Sequence, residues 1–544
     1  MGLLGENIGN KIAARRSVFS RAASAFIVQP EPRSIGVPAR GTQLMAGYFL
    51  FAGSIVEAPG KSIWDLSAPD VEFERALHGF GWMDHLAAEG SAHARRLTKE
   101  WLWRWIDLYG AGRGEGWTPQ LAGRRVVRVI NHALMLLAKE EADQQQKYYK
   151  MLGQQADFLA RRWRAAPRGA ARFEALTGLI YCGLALEAKE RHLAGAVRGL
   201  AKECEIYIGI DGAIPSRNPE ELMQIFTSLA WAAHGINEAG KKPERMHLLA
   251  MERIVPVLRA LRLGDGGLGH FHGGGRGMEG RLDQSLADAE IRLPALDKNA
   301  MGYQRMRHGK STLLMDTGPQ TIGRDQSFSA LAFEMSWGRQ PLIVNVGPGE
   351  IFGEVPGILS RSVAAHSTLC VANHNPERTD AKRPVVQEPL YERSENADFE
   401  MIAASHGGFE DSHGLRHYRS LELARDGMFL RGKDSVVAEG RAHQQAYLRW
   451  LQARGAKSIP FAIRFHLHPR VRAELGMKDT AVTITLPSGE LWVLRANGAK
   501  IAIEPSQYMR YGRLNPSNSK QVVVSGKAID YEGGIEWSLI RLDE

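Results

Sequence analysis

The stretch Gly264–Gly280, GDGGLGHFHGGGRGMEG, divides two kinds of sequence. Before it, apolar residues recur every three to four positions in one amphipathic segment after another. After it, short β-branched and aromatic runs alternate with Gly, Asp-Gly and Pro-Ser-Gly turns. A run of helices followed by a run of strands predicts an α+β multidomain chain, not an alternating α/β fold. Histidines and arginines gather on both sides of the loop, so a cleft between the halves is the expected place for chemistry.

Upstream, Leu97, Trp101, Trp105 and Leu108 follow helical spacing. So do Val127, Ile130, Leu134 and Leu137, then Tyr148, Leu152, Leu159 and Trp163. Ser67 or Asp70 is positioned to cap the first helix. Pro219 and Pro243 suit the first turn of later helices. Roughly eight helices with short loops favour antiparallel hairpins, and the absence of an exact repeat favours a toroid over a regular solenoid. From Leu282 onward the pattern predicts strands. Hairpins are expected at Tyr303–His308 with Ser311–Met315, at Ser420–Ala424 with Met428–Gly432, and at Val482–Leu486 with Leu491–Arg495. The expected division is an N-terminal arm over 1–69, an (α/α) toroid over 70–265 and an antiparallel β-sandwich over 266–544, with Ala372–Asp398 as a surface excursion.

The 544 residues carry a net charge of +9, which suits a polyanionic partner. The basic residues are scattered without a nucleic-acid signature, so an acidic polymer is expected and nucleic acid is not. Three cysteines without metal spacing predict buried free thiols. No apolar run is long enough to span a bilayer. The N-terminal stretch carries charges where an export signal would be apolar, which predicts a cytoplasmic protein. Its Leu3, Leu4, Ile8, Ile12 spacing predicts an amphipathic basic helix that docks on the fold or touches a membrane surface.

Several segments resemble the heparinase II/III-like polysaccharide lyases. They are RVINHALMLL (Arg128–Leu137), DGAIPSRNPEEL (Asp211–Leu222), the Gly-rich loop, MGYQRMRHGKSTLLMDTG (Met301–Gly318), LAFEMSWGRQPLIVNVG (Leu331–Gly347), AAHSTL (Ala364–Leu369) and RFHLHP (Arg464–Pro469). The resemblance implies a helical toroid followed by antiparallel sheets. It also implies β-elimination on a uronic-acid-containing glycan, and meeting that polymer in the periplasm or cell envelope. Such elimination needs the carboxylate's charge masked, a base for the adjacent proton and an acid for the leaving oxygen.

Asn131 and His132 match the place where the family sets an Asn or His against the sugar carboxylate. The expected catalytic set is Asn131, His132, His366 and His417. The expected substrate-binding set is Arg217, Asn218, His272, Arg305 and Arg419. Losing Arg217 or His417 is then expected to cost turnover without costing stability. His417 and Arg419 alternate by two and share a strand face, as do Arg305 and Arg307.

The chain also departs from the family pattern. No tyrosine follows the Asp-Gly motif, where Ser216-Arg217-Asn218-Pro219-Glu220 stands. Asp325-Gln326-Ser327-Phe328-Ser329 replaces a His-x-His-x-Asp segment, and Asn345 stands where some members place a metal-binding Asp. One histidine with a serine and an asparagine is a poor zinc site, so neither metal nor cofactor is expected. Two alternatives stay open: a lyase fold that only binds anionic polysaccharide, and a glycoside hydrolase, for which Glu334 and Asp211 are the acids inside the matched motifs.

Overall fold

The computed structural model describes residues 2–19, 23–28, 33–320, 327–375, 390–476, 479–511, 513 and 515–542. It falls into two compact units. The helical unit comprises Met1–Gly212, Glu221–Val255 and Gly280–Leu293; the sheet unit comprises Ala213–Glu220, Pro256–Glu279 and Pro294–Glu544.

In the helical unit, caps set the helix starts. The Asp70 side chain accepts from Phe73 N at 2.7 Å and opens Val71–His78. Ser91 and Thr118 do the same for Ala92–Tyr109 and Pro119–Asn131. The apolar stripe of Ala92–Tyr109 buries Trp101 against Trp82 and Trp105 against Phe80, and all four are almost fully inaccessible. Each such burial contributes on the order of 3 kcal/mol. Arg125, also fully buried, lies over the Trp105 ring at 4.3 Å and donates to the carbonyls of His78 and Gly116.

Several expectations are corrected here. Residues 1–69 belong to the helical unit: helix Gly2–Ser17 lies along Ala142–Arg162, where Arg162 Nε donates to Asn10 Oδ1 at 2.8 Å. It is a docked helix; the side chains of Leu3 and Leu4 lie outside the described residues. The stripe through Leu134 is broken, because the backbone leaves helical geometry at His132 and a separate helix, Ala133–Leu137, follows with Leu134 76% exposed. Helix Arg245–Ala260 starts two residues after Pro243. Leu282 lies in a helix, Arg281–Asp288, whose inward face is Leu282, Ser285 and Leu286. No described helix is long and apolar enough to cross a membrane.

The sheet unit holds two antiparallel sheets. One runs Lys500–Tyr508, Ser517–Ala528, Ile459–Leu467, Gln340–Val344, Phe333–Trp337, Ser311–Asp316, Tyr303–His308, Asn299–Ala300, with Leu369–Val371 also paired to Ile459–Leu467. The other runs Arg472–Gly476, Ala481–Thr485, Leu491–Ala496, Glu532–Arg541, Phe429–Val437, Leu415–Ala424, Phe399–Phe409, Leu390–Glu395. Alternation of buried and half-buried residues along Leu415–Ala424 puts one face of that strand in the core. Phe333 and Phe465 of the first sheet pack on Trp537 of the second, with centroids 6.0 and 4.7 Å apart. This is a sandwich core.

Two features of the region differ from expectation. Helix Gly440–Arg454 interrupts the strands, and within Ala372–Asp398 the segment Leu390–Glu395 is an edge strand paired to Phe399–Phe409. Residues 376–389 of that excursion lie outside the described residues.

Candidate active site

In the helical unit, Asn131 ends its helix and His132 follows it. The imidazole Nε2 of His132 lies 3.0 Å from Asp84 Oδ1, and Arg128 Nε donates to Asp84 Oδ2 at 2.8 Å. Burial would raise the Asp84 carboxyl, but Arg128 and His132 outweigh it and hold the carboxyl below the usual range. Asp84 is thus an anion that orients the His132 ring. His132 keeps some exposure, with 12% of its side chain accessible. Asn131 is 1% exposed, and neither its Oδ1 nor its Nδ2 has a hydrogen-bond partner among the described residues.

In the sheet unit, Arg217 and His272 converge on Asp316, a residue the sequence reading did not single out. Arg217 sits on a left-handed backbone, φ +53°, between strand ends and the Gly-rich loop. Its guanidinium donates to the carbonyls of Met301 (3.0 Å), Gly302 (3.2 Å) and Pro319 (2.7 Å), and to Asp316 Oδ1 at 2.5 Å. A Cβ at Gly318 would overlap that guanidinium, so glycine is needed there for the close approach. Asp316 Oδ2 lies 3.0 Å from His272 Nε2 and accepts from Ser329 Oγ at 2.8 Å. Asp316 is fully buried; Arg217 and His272 offset the burial and keep it ionised. Asn218 donates to the His272 carbonyl at 3.1 Å and accepts from Glu220 N at 2.9 Å. The Tyr303 hydroxyl donates to the Arg217 carbonyl at 2.7 Å.

A second buried centre forms around Asp434, also missed in the sequence. His417 Nε2 lies 2.8 Å from Asp434 Oδ1, Arg419 Nε donates to the same oxygen at 2.7 Å, and Trp537 Nε1 donates to Oδ2 at 2.8 Å. Arg419 also donates to the carbonyls of Leu331 and Ser367, at 2.8 and 2.9 Å. The side chains of His417, Arg419 and Asp434 are all 0% exposed. His417 and Arg419 do share a strand face, but that face is the core.

This corrects their expected direct roles: every polar atom of these two side chains already has a protein partner inside the sandwich, which leaves none for a substrate. The same applies to Arg217, whose donors already meet protein acceptors, and to His272 beside it. Signals for both acids were present in the sequence. Asp434 alternates with Leu430, Gly432 and Val436, so it is an acid on an inward strand face; Asp316 ends the wholly buried strand Ser311–Asp316.

His366 is buried, with Nδ1 donating to the Ser362 carbonyl at 2.8 Å and Nε2 3.3 Å from Ser327 Oγ. Burial lowers its pKa to about 4, so the ring is neutral with its lone pair on Nε2. Asn345 Oδ1 accepts from Ser367 N at 2.8 Å, and Asn345 Nδ2 donates to the His270 carbonyl at 3.1 Å. Among the described residues, no group of three His, Cys, Asp or Glu could hold a metal ion. Asp325 and Gln326 lie outside the described residues. Arg305 is half-buried with its Nε unpartnered among the described residues, and Arg307 is exposed. His466, in the RFHLHP segment, bonds Ser506 Oγ and the Ala364 carbonyl.

A helical toroid followed by an antiparallel sandwich is the architecture of the heparinase-type lyases. Residues 292–538 match the family model described as Heparinase II/III-like, C-terminal. Over those residues the chain is thus similar to the C-terminal domain of the heparinase II/III-like family. Its fold is similar to a crystal structure of heparinase III (TM-score 0.69, 13% identity, 98% of this chain and 89% of that one). It is also similar to heparan sulfate lyase HepC from Pedobacter heparinus (TM-score 0.56, 14% identity, 100% and 91% covered). Among curated proteins, FtsZ-localized protein C of Caulobacter vibrioides is 26% identical over 531 residues, spanning 94% of this chain and 89% of the relative.

Proposed function

We propose that this protein cleaves a uronic-acid-containing glycan by β-elimination, with Asn131 receiving the uronate carboxylate and His132 removing the proton on the carbon that bears it. The observation that carries the reading is the unpartnered carboxamide of Asn131 beside a His–Asp pair; at 1% exposure that amide has to be uncovered as the sugar enters. A buried amide without partners costs about 1–3 kcal/mol for each group left unmade, and a carboxylate would supply an acceptor for Nδ2. Asp84 stabilises the imidazolium that forms when His132 takes the proton. Electrons of that C–H bond form the new double bond as the glycosidic C–O bond on the neighbouring carbon breaks; the leaving oxygen takes a proton from water, and the hydroxide so formed takes the proton from the His132 imidazolium. In this reading the Arg217–Asp316–His272 and Arg419–Asp434–His417 centres hold the sheet unit together and do not touch the sugar.

The test is a panel of uronate polymers followed by ultraviolet absorbance of the unsaturated product. Asn131→Ala and His132→Ala are each expected to lower turnover about a hundredfold. Asn131→Ala should not lower the melting temperature, because no protein hydrogen bond is lost and an unpaired buried amide is removed. Cleavage that survives both substitutions would overturn the assignment.

A second reading is favoured by the Caulobacter relative. Its end-to-end match at 26% identity exceeds the 13–14% of the two lyase structures, and its name states that it localises with FtsZ. We therefore infer a working place at FtsZ assemblies for this chain too. Co-sedimentation of the purified chain with FtsZ filaments is the expected outcome; a chain that stays in the supernatant contradicts it.

A further inference from the structure

A groove of about 380 Å³ opens in the helical unit, among residues used by neither reading above. One wall is a single face of helix Leu193–Tyr207, where Gly195, Arg198, Gly199, Lys202 and Ile206 recur at helical spacing. The opposite wall comes from the turn Trp163–Ala165 and the start of helix Ala170–Ala185, and brings Arg164, Arg168 and Arg172.

Five cations and a single carboxylate, Glu203, therefore line one recess. Glu203 is buried and faces Arg172 at 3.4 Å and Arg168 at 3.7 Å. Arg172 is fixed further by donating to the carbonyls of Arg164 and Ala166. Arg164 lies over the Trp163 ring at 4.2 Å. Arg164, Arg198 and Lys202 are exposed, and among the described residues none has a carboxylate within ion-pair distance. An added Cβ at Gly195 would meet nothing, so that stretch of wall is open to an approaching chain.

Like charges held together without counter-charges repel, and their placement around one recess costs stability unless an anion enters it. The ligand's other property follows from the apolar part of the site. Ile206, in the wall of the groove, is 45% exposed. Isolated apolar exposure is ordinary, but an exposed isoleucine in the wall of a cationic recess suits a ligand with both negative charge and aliphatic surface. A hydroxyl-rich sugar has no use for isoleucine. An acidic peptide with an apolar side chain uses both features.

We propose that this groove is a docking site for an acidic, apolar-anchored peptide segment of a partner protein. Carboxylates would pair with Arg164, Arg198 and Lys202, and an aliphatic side chain would lie on Ile206. The inference is independent of both the glycan reading and the FtsZ reading.

The experiment uses the full chain and a fluorescein-labelled synthetic peptide in which Glu and Asp alternate with Leu, read by fluorescence anisotropy. Binding should be saturable and should weaken about tenfold or more when salt is raised from low to several times physiological strength. Arg198→Glu combined with Lys202→Glu should weaken it by about tenfold or more, and Ile206→Ser by about threefold to tenfold. All three positions are solvent-accessible, so the melting temperature of these variants should match that of the parent. Equal affinity in parent and double variant would overturn the site. Equal affinity in Ile206→Ser would overturn the apolar anchor. If the peptide fails to bind while a sulfated oligosaccharide binds the parent and not the double variant, the groove is a glycan site and the peptide assignment is wrong.

Discussion

Replacing Arg217 by alanine tests whether this arginine is a substrate clamp or part of the frame. The side chain is 6% exposed and faces a fully buried Asp316. Removing it deletes the 2.5 Å ion pair and leaves the Asp316 carboxylate with His272, Ser329 and the Gly318 N–H, while the carbonyls of Met301, Gly302 and Pro319 each lose a donor. Breaking a buried pair from one side costs about 3–5 kcal/mol, because the remaining charge stays desolvated. For a unit of this size the melting entropy is roughly 0.6 kcal/mol per kelvin, so its transition should fall by about 5–8 °C.

Differential scanning calorimetry reads the shift, and Asp316→Ala in the same chain supplies the second arm of a double-mutant cycle. With both partners removed, the loss should be smaller than the sum of the single losses by about 1–3 kcal/mol. Arg217→Lys keeps the charge but not the planar fork, so it should recover only part of the loss. A shift below about 2 °C for Arg217→Ala would refute the reasoning and return Arg217 to the role of a free carboxylate clamp.

Other outcomes follow from the same burial. The pKa values of His247 and His366 are lowered by burial to about 4, and those of His78 and His466 to about 3. The folded state thus holds these rings neutral while the unfolded chain protonates them below about pH 6.5. Their stabilisation is complete above that pH and is lost as pH falls toward 4, by about 1.4 kcal/mol per pH unit for each histidine. Urea midpoints measured at pH 7 and pH 5 should differ clearly, and equal midpoints would contradict this. Cys182, Cys204 and Cys370 are all buried, and burial raises the thiols of Cys182 and Cys370 to about 12 and about 11. A disulfide reagent such as DTNB should therefore label no thiol in native protein and three after denaturation. Gly432→Ala would drive a methyl group into the Trp537 ring, and should cost about 1–3 kcal/mol in a chemical melt.

Local signals carried much of the fold. Pro219 does open its helix, and Ser420–Ala424 with Met428–Gly432 falls inside the hairpin formed by Leu415–Ala424 and Phe429–Val437. Helix Gly440–Arg454 was also legible, since Ala446, Tyr447, Trp450 and Leu451 lie at helical spacing, but the surrounding strands masked it. The buried acids were harder to read. Asp84 meets His132 across 48 residues, and Asp316 meets Arg217 across 99. Spacing along the chain cannot reveal such pairs. His417 and Arg419 show the limit most clearly: alternation by two placed them on one strand face but could not say that this face was the interior.

The most direct measurement of the central claim is the ultraviolet absorbance of a uronate polymer incubated with the parent chain and with Asn131→Ala. Absorbance should rise with the parent and about a hundredfold more slowly with the variant, whose melting temperature should be no lower. A new reducing end without that absorbance, or equal rates from both proteins, would contradict it.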